Sequence, residues 1–154
     1  MNDLIIIGAG PAGMLAAYAA ASRGIDTLLV EKNEKIGKKL FLTGKGRCNI
    51  TNDCDISDFF SQIVKNSKFL MSAFYTFTNA DLIALLKKNG LETKVERGGR
   101  VFPVSDRSND VIRTLEHMMK NAGAGLKLNC TVKKATKKGE LFHIELDNGE
   151  ALDC

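Results

Sequence analysis

The chain has 154 residues, of which 44% are hydrophobic, 26% are charged and 6% are aromatic, and it contains no Trp. This is the composition of a globular domain with a core, and it excludes collagen-like, disordered and coiled-coil proteins. The net charge is +4, from 22 cationic and 18 anionic side chains, and residues 32–47 alone contribute +5, six Lys and Arg against Glu34. Because this positive charge is confined to one short segment, it indicates a site for one anionic ligand, or a solvated loop, rather than a nucleic-acid-binding face.

The N-terminus and the hydropathy pattern bear on where the chain resides. The first four residues carry no basic stretch followed by a small-residue cleavage site, as a secretory signal would. No apolar run approaches the roughly 18 residues of a membrane-spanning helix. We therefore expect a cytoplasmic chain with a small-molecule substrate and with no membrane or nucleic-acid partner. The pattern leaves the oligomeric state open.

The cysteines and histidines show no pattern of a metal site. The four cysteines form no C-x-x-C pair, and His117 and His143 stand alone. Zinc sites need clustered ligands, and a disulfide framework is improbable in a cytosolic chain of this size. The sequence therefore predicts neither a metal ion nor disulfides.

Residues 1–31 predict a β-α-β unit. Leu4–Ile7 is a short apolar run typical of a strand buried on both faces, and Thr27–Val30 is a second one. Between them, the Ala-rich segment Pro11–Arg23 predicts a helix with Pro in its first turn and Gly24 just past its end. The two strands should be parallel, with a right-handed crossover.

Residues 58–122 are predicted to form a mainly helical excursion from that unit. Residues 58–75 predict one or two helices, and Thr78–Asp81 fits a capping box that opens another. Residues 91–104 should be extended, with a glycine pair interrupting them, and Ser108 can cap a further helix. The apolar face of that last helix comprises Val111, Ile112, Leu115, Met118 and Met119.

Residues 126–154 predict strands that begin a β-meander. Apolar and polar residues alternate at 126–128, 130–135 and 142–146, and Asp147–Gly149 is typical of a tight hairpin turn. Only five residues follow that turn, so we expect the sequence to be a truncated part of a longer domain. The predicted fold class is α/β: a Rossmann-type parallel sheet with a helical insertion and the start of a meander.

The motif Gly8-x-Gly10-x-x-Gly13 lies between the first strand and the first helix. Gly8 permits a tight turn, Gly10 lets a pyrophosphate approach the backbone, and Gly13 allows the helix to pack closely on the strand. The N-terminus of a helix favours an anion there. Glu31, 18 residues after Gly13, can bind the hydroxyls of a ribose and would repel a 2′-phosphate. The motif predicts a dinucleotide site but leaves NAD and FAD both open.

Residues 37–52 form a second candidate binding segment. Gly44 and Gly46 allow backbone N–H groups to approach the flavin side of a pyrophosphate, and Arg47 can neutralise it. A Walker phosphate loop is excluded because Gly46 follows Gly44-Lys45 where Ser or Thr is required.

This segment, read with the glycine motif, closely resembles the N-terminal part of the BaiN-type (aminoacetone-oxidase-type) family of NAD(P)/FAD-dependent oxidoreductases. The family pattern reads much like G-K-K-x-x-x-[ST]-G-x-G-R-C-N-x-T-N, and residues 37–52 match every fixed position. Lys45 occupies a variable position that is often Gly or Asn. Residues 100–105 resemble the later R-x-F-P-x-S element, so the resemblance covers essentially the whole chain.

The resemblance implies a two-dinucleotide-binding-type flavoprotein fold with FAD in its Rossmann domain and NAD(P)H as the electron donor. It assigns Glu31 to the adenosine ribose and the backbone of Val132 to the adenine. We add Lys32 and Lys39 from the basic segment as cofactor-binding candidates. The resemblance assigns the pyrophosphate to Gly8, Gly10, Pro11, Ala12 and Gly13, and the pyrophosphate and flavin to Gly44, Arg47, Cys48 and Asn49. Family members are more than twice as long, with an inserted substrate domain and a C-terminal segment that completes the flavin pocket.

The predicted function is therefore that of an FAD-binding N-terminal part of an oxidoreductase, in which flavin carries the hydride. One alternative is a flavin-dependent thiol-disulfide oxidoreductase that uses Cys48 and Cys54, since a thiolate near Arg47 would have a lowered pKa. Five residues separate the two cysteines, so a packing role for Cys48 is favoured. The other alternative is a catalytically silent dinucleotide-binding fragment. No acid, base or nucleophile is assigned, and the isolated chain is expected to be inactive.

Overall fold

The computed structural model describes residues 1–154. The chain divides into two compact units. The first comprises residues 1–41 and 115–154, and the second comprises residues 42–114.

The first unit is built on a parallel three-stranded sheet. Its strands are β1 (Leu4–Ile7), β2 (Thr27–Val30) and β6 (Gly125–Lys127), in the order β1-β2-β6. Helix α1 (Pro11–Ala21) connects β1 to β2 and packs against both strands. The predicted β-α-β unit is confirmed with both strand boundaries, and α1 ends two residues before the predicted end.

Burial of the two strands differs from the prediction. The central strand β2 is buried, with Leu29 and Val30 almost inaccessible. In β1, by contrast, every residue is at least partly exposed, and Ile7 is 57% exposed. The prediction that β1 is buried on both faces was wrong, because β1 has a neighbour on one side only and forms the edge of the sheet.

An antiparallel meander completes the first unit. It consists of β7 (Val132–Lys138), β8 (Leu141–Leu146) and β9 (Ala151–Asp153), in that order. The predicted turn at residues 147–149 joins β8 to β9, so the predicted meander is confirmed. Its inner face packs in a core formed by Val30, Cys130, Ile144 and Leu146, surrounded by Ile5, Leu28, Val132 and Leu152.

The second unit combines helices with a small antiparallel sheet. Strands β3 (Thr51–Asn52), β4 (Thr93–Glu96) and β5 (Arg100–Pro103) have the order β3-β5-β4. The helices between β3 and β4 are α3 (Ile56–Ser61), α4 (Ser67–Thr76) and α5 (Asn79–Lys88). The segment predicted as a helical excursion therefore also contains two of three strands of a sheet, and β3 was not predicted.

The helix signals in this part of the sequence are confirmed. The Thr78 hydroxyl accepts a hydrogen bond from the Asp81 amide (3.1 Å), and the Asp81 carboxylate accepts one from the Thr78 amide (2.8 Å), which is the predicted capping box. Helix α2 (Lys38–Leu42) precedes β3, and α6 (Ser108–Asn121) follows β5. The predicted apolar face of α6 is buried at Val111, Leu115, Met118 and Met119.

One apolar stretch, Ser67–Lys88, is long and apolar enough to cross a membrane by length and composition alone. The expectation that no apolar run approaches 18 residues was therefore wrong for this stretch. Its backbone is broken at Phe77, which is extended (φ −144°, ψ 100°), and Thr78 then caps α5. Because α4 and α5 have ten residues each, neither alone reaches the length of a membrane-spanning helix.

Candidate functional site

The glycine turn, residues 8–13, forms the sharp connection between β1 and α1. Gly8 has a φ of +100°, which side chains disfavour, and its amide donates to the Val30 carbonyl at 2.7 Å. Gly10 caps α1, and its carbonyl accepts from the Met14 amide at 3.0 Å. Pro11 opens the helix, where a missing N–H costs nothing. The turn therefore aims the N-terminus of α1 at the end of β1.

Two glycines of the turn meet different surroundings. A Cβ on Gly13 would lie 1.9 Å from the Gly8 carbonyl oxygen, so only glycine fits there. A Cβ on Gly10 would meet no atom within 4 Å, so the space in front of its backbone is clear. The first-turn amides, including those of Ala12 and Gly13, have no partner within an α-helix and carry the positive end of its dipole. The geometry fits a diphosphate laid against Gly10.

Glu31 lies directly after β2 and is 7% exposed. One carboxylate oxygen, Oε2, accepts from the Ala9 amide at 2.7 Å, and Oε1 accepts from the amide and side chain of Asn33. Burial alone would raise the pKa of Glu31, but the hydrogen bonds from Asn33 and Ala9 outweigh it and hold the pKa below its ordinary value. Glu31 is therefore ionised at neutral pH and braces the glycine turn.

The backbone around Glu31 is fixed on both sides. Its amide donates to the Lys127 carbonyl of β6, and its carbonyl accepts from the Cys130 amide, each at 2.9 Å. The Gly37 amide donates to the Ala9 carbonyl at 2.9 Å, which ties the chain after Glu31 to the glycine turn. Val132 begins β7 and is partly exposed.

The cations of this region differ in what they contact. Lys32 and Lys39 are exposed, and no carboxylate pairs with either. Lys38 pairs with Glu34 at 3.0 Å and donates to the Asn33 side chain at 3.1 Å. Sequence reasoning missed Asn33, whose amide and side chain both donate to the Glu31 carboxylate.

The binding loop, residues 43–49, belongs to the second unit and has an unusual backbone. Gly44, Lys45, Gly46 and Cys48 all have positive φ, between 57° and 85°. The Arg47 amide donates to the Gly44 carbonyl (3.2 Å), and the Cys48 amide donates to the Thr43 carbonyl (3.1 Å). Left-handed conformations in non-glycine residues are uncommon and often mark binding segments.

Arg47 is held by an ion-pair cluster that we define as Arg47, Lys94, Glu96 and Asp106. Its Nη1 lies 2.9 Å from Glu96 Oε1 and 3.4 Å from Asp106 Oδ1. The guanidinium carbon lies 4.1 Å from the centre of the Phe102 ring. The hydrogen bond to Glu96 raises the pKa of Arg47 above its ordinary value. Sequence reasoning identified Arg47 but none of its carboxylate partners.

Cys48 is 2% exposed, and burial raises the pKa of its thiol. The idea that Arg47 would lower this pKa was wrong, because the charge of Arg47 is balanced by carboxylates and burial penalises a thiolate. All four cysteines are free, and Cys54 is half-buried. These properties favour a packing role for Cys48 over thiol-disulfide chemistry.

The predicted site residues fall into two groups. The first unit brings together the glycine turn, Glu31 and the connection that leads to Val132. The second unit brings together Gly44, Arg47, Cys48 and the exposed Asn49 in the binding loop. No group of three or more His, Cys, Asp and Glu side chains is arranged to hold a metal ion.

Comparisons with known proteins agree with this reading of the chain. Residues 2–154 match the family described as the HI0933-like protein Rossmann domain. The chain is 32% identical over 153 residues to the ribosomal RNA dihydrouridine synthase of Escherichia coli K12, which covers 99% of this chain and 37% of that protein. It is 37% identical over 119 residues to the 3-dehydro-bile acid delta(4,6)-reductase of Clostridium scindens, and this match covers 75% of this chain and 28% of that protein. The chain thus spans about a third of the length of these relatives.

A solved structure, OTEMO in complex with FAD and NADP, matches with a TM-score of 0.55 at 16% identity, over 99% of this chain and 24% of that chain. At this identity the match establishes the fold alone. The family predicted from residues 37–52 and the Rossmann-type fold class are both confirmed. The chain belongs to the HI0933-like protein Rossmann domain family.

Proposed function

We propose that this chain binds FAD through the glycine turn and Glu31. The observation that carries the proposal is the clear space in front of Gly10, at the N-terminus of α1, with an ionised Glu31 bonded to the adjacent Ala9 amide. A diphosphate placed there would accept hydrogen bonds from first-turn amides and gain from the helix dipole.

Glu31 would bind the adenosine ribose. Each carboxylate oxygen has two acceptor sites, and Oε2 uses one of them for the Ala9 amide. The second acceptor site of Oε2 would take a ribose hydroxyl. The negative charge of Glu31 would also repel a 2′-phosphate, which favours FAD or NAD over NADP at this site. The resemblance of residues 37–52 to a family of FAD-dependent oxidoreductases favours FAD over NAD.

The remaining candidates are assigned within each unit separately. Exposed Lys32 and Lys39 would attract the anionic ligand, and the backbone of Val132 would meet the adenine. Gly44, Arg47, Cys48 and Asn49 would serve the pyrophosphate and flavin, as the family resemblance implies.

We infer that the whole protein is an FAD-dependent oxidoreductase of the cytoplasm, with NAD(P)H as electron donor. FAD, once bound, supplies the hydride chemistry, and the residues named above bind and orient it. The relatives are named as a reductase and as a dihydrouridine synthase, and this favours reduction of the substrate. Because those relatives act on different substrates, we assign no substrate class. The chain spans about a third of their length, so we expect it to bind FAD without turnover.

The test is a titration of the chain with FAD, followed by quenching of flavin fluorescence. Gly10→Val fills the clear space in front of the turn, and its backbone (φ −76°) suits any residue, so the chain should still fold. We expect at least about tenfold weaker FAD binding, equivalent to about 1.4 kcal/mol.

Ala16→Val is the matched control, because position 16 lies on the exposed face of α1. It should leave the affinity for FAD unchanged. Equal affinities for FAD in both variants and the unmodified chain would contradict the proposed site.

A further inference from the structure

The binding loop holds a backbone that its sequence does not favour by itself. Lys45 (φ 57°) and Cys48 (φ 64°) are left-handed without being glycine, and they flank the left-handed Gly46. Residues in such conformations persist only where the surrounding structure fixes them. Within the loop, the amides of Arg47 and Cys48 donate backbone hydrogen bonds, and the Cys48 side chain is hydrogen-bonded to Thr43. An interaction with residues outside the loop adds to these bonds.

That interaction comes from the side chain between the strained residues. Arg47 extends from the loop to Glu96 on β4 and to Asp106 after β5, with its guanidinium stacked on Phe102 of β5. Phe102 also supports Gly44, since a Cβ on Gly44 would lie 3.1 Å from the Phe102 ring. The β4–β5 hairpin thus contacts the loop through one side chain and one close backbone approach.

Asp106 is itself left-handed, with a φ of 55°, and its amide donates to the Pro103 carbonyl at 3.0 Å. Its carboxylate lies between Lys94 Nζ (2.5 Å) and Arg47 Nη1 (3.4 Å). Two strained segments of the second unit therefore meet at the same four charged groups. The cluster joins segments that are distant in sequence, since Glu96 lies 49 positions and Asp106 lies 59 positions after Arg47.

The cluster differs from an ordinary surface ion pair. The side chains of Arg47, Glu96 and Asp106 are 28–38% exposed, whereas Lys87 and Glu92 of the same unit are 65–68% exposed and 3.8 Å apart. Networks of partly buried charges with good geometry hold their members more firmly than single exposed pairs do. Lys94 adds a second cation, at 3.7 Å from Glu96.

We propose that Arg47 is a positioning residue, and that its ion pairs with Glu96 and Asp106 hold the left-handed binding loop in the shape that FAD requires. The proposal rests on the proposed function, which assigns Gly44, Arg47, Cys48 and Asn49 of this loop to the cofactor, and it replaces direct contact by Arg47 with an indirect role. It gives Arg47 a role through the loop backbone, because Nη1 is engaged by carboxylates. Glu96 and Asp106 become part of the cofactor site without touching the cofactor.

The reactivity of the buried Cys48 thiol reports how often the binding loop opens, and this measurement needs no FAD. In the intact loop its thiol is inaccessible, so reaction with iodoacetamide requires the loop to open. We expect the double variant Glu96→Gln, Asp106→Asn to raise the alkylation rate of Cys48, mapped by mass spectrometry, by about fivefold or more. Glu92→Gln, which breaks the exposed pair with Lys87, is the control and should leave the rate unchanged.

FAD binding is measured on the same variants. The double variant should bind FAD about fivefold more weakly than Glu92→Gln does, with a melting temperature close to that of the control. Arg47→Lys, which keeps the charge but loses the fork and the planar stack, should give an intermediate alkylation rate. If the alkylation rate of Cys48 differs among the variants while their melting temperatures are the same, the ion pairs position the loop. A purely structural role would change the melting temperature as well.

The outcomes separate this inference from the proposed function. If the unmodified chain binds no FAD but Cys48 becomes reactive in the double variant, the positioning of the loop stands and the cofactor assignment fails. If Cys48 stays protected, or FAD affinity equals that of Glu92→Gln, the inference is overturned. Should the double variant fail to fold, Asp106→Asn alone is measured by the same alkylation rate, and a rate equal to that of the control overturns the inference.

Discussion

The glycine turn and the binding loop are two sharp backbone bends that are held by different forces. The glycine turn is fixed by contact, since Gly13 lies against the Gly8 carbonyl and the buried Glu31 bonds the Ala9 amide. The binding loop is fixed mainly by the partly exposed charges around Arg47. Steric contact does not depend on salt, whereas half-exposed ion pairs do. The first bend should therefore be insensitive to salt, and the second should respond to it.

The largest effect is expected from Gly13→Ala. The added Cβ would lie 1.9 Å from the Gly8 carbonyl oxygen, so α1 must move away from β1. We expect the free energy of unfolding to fall by about 2–4 kcal/mol, measured by urea denaturation. Gly10→Ala, which meets no neighbour, is the matched control and should unfold at nearly the same urea concentration as the unmodified chain. Equal stabilities of the two variants would show that the turn is not held by contact.

A smaller effect is expected from Glu31→Gln. Loss of the charged acceptor for the Ala9 and Asn33 amides should reduce the free energy of unfolding by about 1.5–3 kcal/mol at pH 7, measured by urea denaturation. Glu34→Gln removes the same charge from an exposed pair and should change the stability little.

The pH dependence of unfolding tests the same role of Glu31, because its lowered pKa fixes the direction in which stability changes with pH. The hydrogen bonds of Glu31 hold its folded-state pKa below the ordinary value of about 4.3, so its contribution is complete above that value and is lost as the pH falls through the lowered pKa. The unmodified chain should lose this part of its stability below about pH 4, and Glu31→Gln should not. Parallel pH profiles of unfolding for the two proteins would contradict the bracing role of Glu31.

The smallest effect is expected from salt, which should loosen the binding loop but not the glycine turn. In 1 M NaCl, where charges are screened beyond about 3 Å, hydrogen exchange of the Arg47 and Cys48 amides should accelerate about fivefold relative to that of Gly8. Acid should act in the same direction, since a hydrogen bond from Lys94 and the charge of Arg47 lower the pKa of Asp106, and its ion pairs are lost as the pH falls through that value. If salt leaves the exchange rates of the Arg47 and Cys48 amides unchanged relative to that of Gly8, the two bends do not differ in the forces that hold them.

The sequence predicted those parts of the molecule that short-range patterns determine. The strands of the β-α-β unit, the capping box at Thr78 and the apolar face of α6 each depend on residues within one element, and all three are confirmed. The strand β3 was missed because two residues, Thr51 and Asn52, show no periodicity. The exposure of Ile7 was missed because the pattern of a buried strand does not reveal its place in the sheet.

The candidate site divides in the same way. The glycine motif and Glu31 follow from spacing, and the structure places Glu31 against the turn as that spacing requires. The partners of Arg47 could not be predicted, because Glu96 and Asp106 come together with it only through the β4–β5 hairpin. The raised pKa of Cys48 was missed for a related reason, since burial is a property of the folded chain and not of the neighbouring residue in the sequence.

The place of β1 at the margin of the parallel sheet has a practical consequence for handling the protein. Within its sheet, β1 bonds to β2 on one side, and the outward amides and carbonyls of Leu4–Ile7 have no strand beside them. Such a margin accepts any extended segment that reaches it, whether from a longer version of the same polypeptide or from a neighbouring molecule in a concentrated sample. Solubility of the purified chain should therefore depend more on occupation of this margin than on its net charge.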